Sequence, residues 1–319
     1  MSSKNYLFYP LILTTTTWTI NHGLNLSSYN KYLKTLYPEC MESNENRNVI
    51  VMMSFLILLI IQHPVEEAAR QAFFNYLLPA KKFPKNSIER AEKAQMLSER
   101  VHKLIVYTTT TCLLYGILWN SPYLSKYLLG SSEDPQLFMN YPCQPLPKYL
   151  DDFYLLKLAY HAYELFYSMI YHRGRLDFPE YVFHHIVTLA LIVKSYSINY
   201  LPIGAIIMLL HDLSDIFLSI FKLCCDVLPM KIQMTSYFIM LTSWIYLRMW
   251  FFPVNVIYAY ILQVQDSKDY VILENYWILL YFVICLYVLH IFWFYLMIRG
   301  LIKRIRDFDS VIFKNSENK

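Results

Sequence analysis

Seven stretches of this chain, at about 49–63, 103–120, 153–171, 182–199, 202–222, 232–263 and 276–300, stay predominantly apolar for close to the length a bilayer demands. A hydrocarbon core about 30 Å thick takes roughly 20 apolar residues as helix. Inside it every backbone polar group must find a partner within the protein, which a helix provides by itself. The expected fold class is therefore all-α, a polytopic membrane protein with seven transmembrane helices. An eighth is added if the moderately apolar run 6–20 (YLFYPLILTTTTWTI) also spans. No small-residue cleavage site follows that run, so it reads as a retained membrane or interfacial helix. The first window is short, and the amphipathic stretch 65–79 extends it along the interface. Composition agrees: 16 % of residues are charged and 56 % hydrophobic, whereas a soluble domain holds about 25 % charged residues. The net charge of +4 is small and scattered, which excludes a nucleic-acid surface.

The loop cations orient the bundle. Loop 80–103 holds Lys81, Lys82, Lys85, Arg90, Lys93, Arg100 and Lys103; loop 172–180 holds Arg173 and Arg175; Lys303, Arg304 and Arg306 follow residue 300. The alternate loops are poor in them, with Lys126 and Lys148 in 121–152, and Lys268 beside Asp266, Asp269 and Glu274 in 264–275. Cation-rich loops stay in the cytosol, so these loops and the C-terminus are expected there. Residues 21–48 are then lumenal if the first segment spans, and Asn25-Leu26-Ser27 becomes an N-glycosylation acceptor, a three-residue pattern frequent by chance. Cysteines stand at 40, 112, 143, 224, 225 and 285, without C-x-x-C spacing. Cys112 and Cys285 read as small packing residues. Cys40 and Cys143 fall in loops on one side, so a disulfide can join them.

Ionisable groups inside two consecutive windows break the apolar pattern. A charge near a helix centre costs on the order of 2.5–3.5 kcal/mol on insertion scales, so such groups face a cavity, pair with one another, or act. In FPEYVFHHIVTLALIVKSY, His184 and His185 are adjacent and Thr188 falls between them around the helix. In GAIIMLLHDLSDIFLSIFK, His211, Asp215 and Lys222 fall within about 40° of one another, with Asp212 at the flank. These groups are expected to point inward, the aspartates toward the histidines of the preceding helix or a wet cavity. An imidazole can serve as base, acyl-accepting nucleophile or metal ligand, and a carboxylate can fix its tautomer. Metal binding is chemically allowed, but no H-x-x-x-H or similar ligand spacing occurs. Lys194 reads as a snorkelling side chain, and His161 with Glu164 as a structural pair on one helix face.

The run from Arg175 to Lys222 resembles the longevity-assurance motif of ceramide synthases, through D-F-x-E, H-H-x-x-T, S-Y-x-x-N and H-D-x-S-D-x-x-L-x-x-x-K in order. Further agreement lies in L-S-E-R at 97–100, Y-P-C-Q-P at 141–145, Arg248 with Pro253, and L-H-I-F-W-F-Y at 289–295. The resemblance implies a TLC-type helical barrel over 80–305, after a 1–79 membrane extension of one or two helices and before a short cytosolic tail, 306–319. It implies a multi-pass protein of the endoplasmic reticulum membrane that N-acylates a sphingoid base from fatty acyl-CoA to give ceramide or dihydroceramide. The acyl-CoA is a co-substrate, no cofactor or metal is needed, and a homo- or hetero-oligomer is allowed. Catalysis would fall to His184, His185, His211, Asp212 and Asp215. Substrate contacts would fall to Thr188, Ser195, Tyr196, Asn199, Arg248, His290 and Trp293.

Three departures accompany the resemblance. Pro202 stands where relatives often carry Arg, Lys194 stands at a usually apolar or small position, and neither a homeodomain-like insert nor an acidic tail occurs. The first two touch acyl-length preference rather than chemistry, and the last points to a compact version. The basic loops could attract the phosphates of the CoA head, although membrane topology alone accounts for them. Two readings of other classes stand beside the enzyme. A non-enzymatic TLC protein in translocation or lipid sensing would tolerate loss of the polar cluster, which is intact here. A proton-coupled transporter would use the Asp–His–Lys stripe.

Overall fold

The computed structural model describes residues 31–38, 40, 46–174, 177–225, 227–266 and 270–317. The run 6–20, the Asn25-Leu26-Ser27 sequon, Arg175, Lys268 and Asp269 lie outside the described residues.

Each apolar window is helical. Helix α1 spans Arg47–Ala72 and ends in a wider turn, Phe73–Leu77. Then come α2 (Ile88–Leu118), α3 (Leu150–Tyr171), α4 (Phe178–Ser197) and α5 (Leu201–Cys224). Helix α6 (Met230–Trp244) passes through a π-helical stretch, Ile245–Ile257, into α7 (Tyr258–Asp266), and α8 covers Tyr270–Glu317. No strand occurs among the described residues. Among the described residues, five segments are long and apolar enough to cross a membrane: Arg47–Leu77, Ile88–Leu118, Leu201–Cys224, Met230–Leu262 and Asn275–Lys303. Helices α3 and α4 coincide with two further windows but carry the polar side chains that face the interior. The chain is an all-α polytopic membrane protein.

Local chemistry sets the helix ends. The side chain of Ser87 accepts the amide of Arg90 and starts α2 fifteen residues before the apolar window does. Arg90, Lys93, Arg100 and Lys103 are therefore helical rather than loop residues. Arg90 is buried, its guanidinium donating to the Phe74 carbonyl at 2.5 Å and the Phe83 carbonyl at 2.9 Å, which satisfies backbone groups where α1 ends. Pro179 and Pro202 sit in the first turns of α4 and α5, where a missing N–H costs nothing. Asn199 follows α4 in the left-handed conformation, φ 61°, a position that favours Gly or Asn. Pro253 interrupts the bond ladder inside the π-helical stretch.

Contacts run from α2 to α3, α3 to α4, α4 to α8, α8 to the π-helical stretch, from there to α5, and from α5 back to α2. They close a ring, with α1 against α2 and α3 outside it. Helix α5 is the most buried, carrying Ile203, Ala205, Ile206, Leu209 and Leu210 into the core. By contrast α1 presents Met52, Leu56 and Ile60 outward, as suits lipid contact. The connector 119–149 caps one end of the ring and is tied by a Cys40–Cys143 disulfide. Tyr141 donates to the Ile198 carbonyl at 2.9 Å and Asn199 to the Pro142 carbonyl at 2.5 Å, so this cap closes over the α4–α5 turn.

Candidate active site

Inside the ring lies a cavity of about 450 Å³, within the size range of ligand-holding sites. Arg100, Lys103, Asp177 and Lys222 line it at the end opposite the disulfide-tied cap. Deeper, the lining turns to Leu191, Ile192, Ile207, Met208 and Leu286. The gradient from charged mouth to apolar depth suits an amphiphile with a polar head and an alkyl chain.

The imidazoles occupy the middle. His184 and His185 stand on the second turn of α4, and both line the cavity with Thr188 one turn on. The ring of His184 stacks on His211 at 6.2 Å and meets Trp293 edge-on at 5.4 Å. The ring of His185 lies 4.4 Å from Tyr181 and 5.6 Å from His161. Nδ1 of His161, His184 and His185 and the hydroxyl of Thr188 are buried with no hydrogen-bond partner. Buried polar atoms are nearly always paired; these four, with the Tyr160 hydroxyl and Trp244 Nε1, belong to residues that line the cavity.

His211 differs. Its Nδ1 lies 2.7 Å from the Ile207 carbonyl, and its Nε2 lies 2.9 Å from Nε2 of His290. A carbonyl only accepts, so Nδ1 carries the proton. In a neutral ring Nε2 then accepts from His290. Both nitrogens of His211 are engaged.

Both aspartates line the cavity, one of the two placements expected of them, and neither is hydrogen-bonded to an imidazole. Asp212 accepts from Lys157 Nζ at 2.8 Å on both oxygens and from the Thr110 hydroxyl at 2.7 Å. Asp215 accepts from Arg248 at 2.7 Å, while the same guanidinium donates to the Ser214 hydroxyl at 2.6 Å and lies over the Trp244 ring at 4.1 Å. The cause is charge: a cation within reach compensates a buried carboxylate better than a neutral ring does. Glu164 follows the same rule. It leaves His161, its expected partner, and accepts from Lys103 and Tyr181, each at 2.6 Å. Lys194 is buried rather than snorkelling.

Of the residues expected to contact substrate, Thr188, Ser195, Arg248 and Trp293 line the cavity. Tyr196, Asn199 and His290 do not. Asn199 forms the turn beneath the cap, Tyr196 packs against Tyr154 at 6.2 Å, and His290 stands behind His211 with no exposed surface. Sequence reasoning missed Lys157, Tyr154 and the role of Lys103. The one available signal was Lys157 itself, a lone cation in an apolar window. Among the described residues no group of three or more His, Cys, Asp and Glu side chains is arranged to hold a metal ion.

A family model described as the TLC domain matches residues 96–299. The protein named Ceramide synthase 1 LOH3, from Arabidopsis thaliana, is 29 % identical over 229 residues, which is 70 % of this chain and 73 % of that protein. Ceramide synthase LOH1 from the same plant is 29 % identical over 233 residues, with the same coverage. Ceramide synthase 4 of Mus musculus is 36 % identical over 171 residues, 51 % of this chain and 40 % of the mouse protein.

Proposed function

Because the chain belongs to the TLC-domain family, we propose that it is a ceramide synthase, N-acylating a sphingoid base, sphinganine or sphingosine, from fatty acyl-CoA. The observation that carries this reading is the pair of adjacent imidazoles, each with an unpartnered Nδ1, on the wall of a cavity that runs from charged to apolar. Arabidopsis and mouse relatives bearing the ceramide synthase name support the substrate class.

Amide formation needs a group to take the amine proton and a donor to hold the oxyanion. With both His211 nitrogens engaged, the base is His184 or His185. The amine attacks the thioester carbonyl and its proton passes to the imidazole. The C–S bond then breaks, and the departing thiolate receives that proton from the imidazolium. In the second route one imidazole attacks first, releasing the thiol and forming an acyl-imidazole that the amine opens. The unpartnered Thr188 hydroxyl is the oxyanion donor in either route. The Lys157–Asp212 and Arg248–Asp215 pairs tie α5 to α3 and to the π-helical stretch beside the imidazoles. The CoA head enters at the Arg100, Lys103 and Lys222 end.

The same reading places the protein in the endoplasmic reticulum membrane, with the loops around 80–103 and 172–180 and the C-terminus cytosolic. The Cys40–Cys143 disulfide lies at the opposite end; such bonds persist in an oxidising lumen and not in the cytosol. Microsomes containing the chain, given labelled acyl-CoA of several lengths and sphinganine, are expected to yield labelled ceramide. No ceramide above background at any length sinks the proposal, and acyl-CoA-independent proton flux would favour transport instead.

A further inference from the structure

At the depth of the cavity Tyr154 of α3 reaches across to α4 and α5. Its hydroxyl lies 3.0 Å from the Ser195 hydroxyl, which itself donates to the Leu191 carbonyl at 2.6 Å. The approach is open only because residue 204 is glycine. A Cβ there would lie 1.6 Å from the Tyr154 hydroxyl oxygen and 2.8 Å from its ring carbon Cζ. Tyr154 has no exposed surface, yet it, Ser195 and Gly204 all line the cavity. Beyond them the space is filled. Tyr200 stacks on Tyr276 at 5.4 Å and lies tilted against Tyr141 at 4.4 Å, and Phe138 packs edge-on against Tyr200 and against Tyr260, which itself lines the cavity, under the disulfide-tied cap.

We propose that Tyr154, seated on Gly204 and bonded to Ser195, is the floor of the acyl-chain tunnel and fixes the longest chain the cavity takes. The inference rests on the reading of the cavity as an acyl-chain site. The floor lies ~10 Å below the imidazoles along α5, from His211 to Gly204, and ~16 Å along α4, from His184 to Ser195, at 1.5 Å rise per residue. An extended alkyl chain advances roughly 1.3 Å per carbon–carbon bond, so about 8 to 13 carbons fit between the reacting carbonyl and the floor. The intact protein therefore takes acyl chains of up to about 14 carbons, the carbonyl included, and rejects longer ones, which would have to displace the phenol ring.

Two substitutions push the limit in opposite directions. Tyr154→Ala opens the floor and should lengthen the longest accepted chain by about four carbons, the length of a phenol ring. Ser195→Leu fills the same level and should shorten it. Each variant is tested in microsomes with acyl-CoA of graded even length, reading ceramide chain profiles by mass spectrometry. Thermal stabilisation of the detergent-purified protein by the same acyl-CoA series reads binding without turnover. Should Tyr154→Ala fail to accumulate, Tyr154→Leu, which keeps an apolar side chain, should give a smaller step in the same direction. Ceramide products with an unmoved length limit in both folded variants overturn the floor and leave the acyltransferase reading intact. Length-graded stabilisation that shifts as stated, with no ceramide formed, keeps the floor and overturns the chemistry. Stabilisation that does not depend on chain length, or does not move with Tyr154, removes the floor whatever the products.

Discussion

Lys157 has no exposed surface, and its ammonium lies 2.8 Å from both oxygens of Asp212. Removing it leaves a buried carboxylate with one hydroxyl partner, Thr110. Breaking a buried pair by deleting one member costs about 3–5 kcal/mol, so Lys157→Met should lower the thermal midpoint of the purified protein sharply. Lys126 and Glu133 form the opposite case, a pair at 3.2 Å with both side chains largely exposed. There Lys126→Met should cost no more than about 1 kcal/mol. Comparable losses for the two variants would contradict the ion-pair account. The sequence phasing of His184, His185 and Thr188 onto one wall agrees with the cavity lining. The partners of the aspartates were not legible, because Lys157 and Arg248 sit on other helices, 55 and 33 residues from Asp212 and Asp215. Helical phasing reports which way a side chain points, but not what meets it there.

Among the elements, the turn between α4 and α5 does most to position the site, since it holds the histidine helix against the most buried one. Asn199 supplies its left-handed residue and donates to the Pro142 carbonyl of the cap. Asn199→Gly keeps the backbone conformation and loses one hydrogen bond, a cost of about 1 kcal/mol. Asn199→Val adds a β-branched side chain where φ is positive, about 1–2 kcal/mol more. The ordering of thermal midpoints, wild type above Gly above Val, checks this, and a Val variant as stable as the Gly variant contradicts it. The helices at the seven apolar windows were legible from apolar length alone, whereas the helical turns at 31–36 and the helix starts were not. The α2 helix begins at Ile88 on a Ser87 cap, inside a stretch whose cations read as a loop. Its polar first turns pack on the chain rather than on lipid, and Lys103 is buried against Glu164.

At the scale of the molecule, the ring has two unlike ends. Cations cluster at one, and the Cys40–Cys143 disulfide closes the other. In sealed microsomes with the cytosolic face outward, Cys40→Ser should leave Cys143 open to a membrane-impermeant maleimide only after permeabilisation. Labelling of Cys143 in intact vesicles would reverse the topology. Closure of the ring itself was beyond periodicity, because the contacts that make it, α2 to α5 and α4 to α8, join helices distant in sequence.

The account stands on the unpartnered imidazoles of α4 forming an amide inside this ring. Purified protein given labelled acyl-CoA and sphinganine, beside His184→Ala, His185→Ala and the double variant, tests that most directly, with thermal midpoints as the folding control. Ceramide from the intact chain, with a loss of at least about a hundredfold in the double variant at unchanged stability, is the result expected of a lost general base. Equal product from the intact and doubly substituted proteins would contradict it.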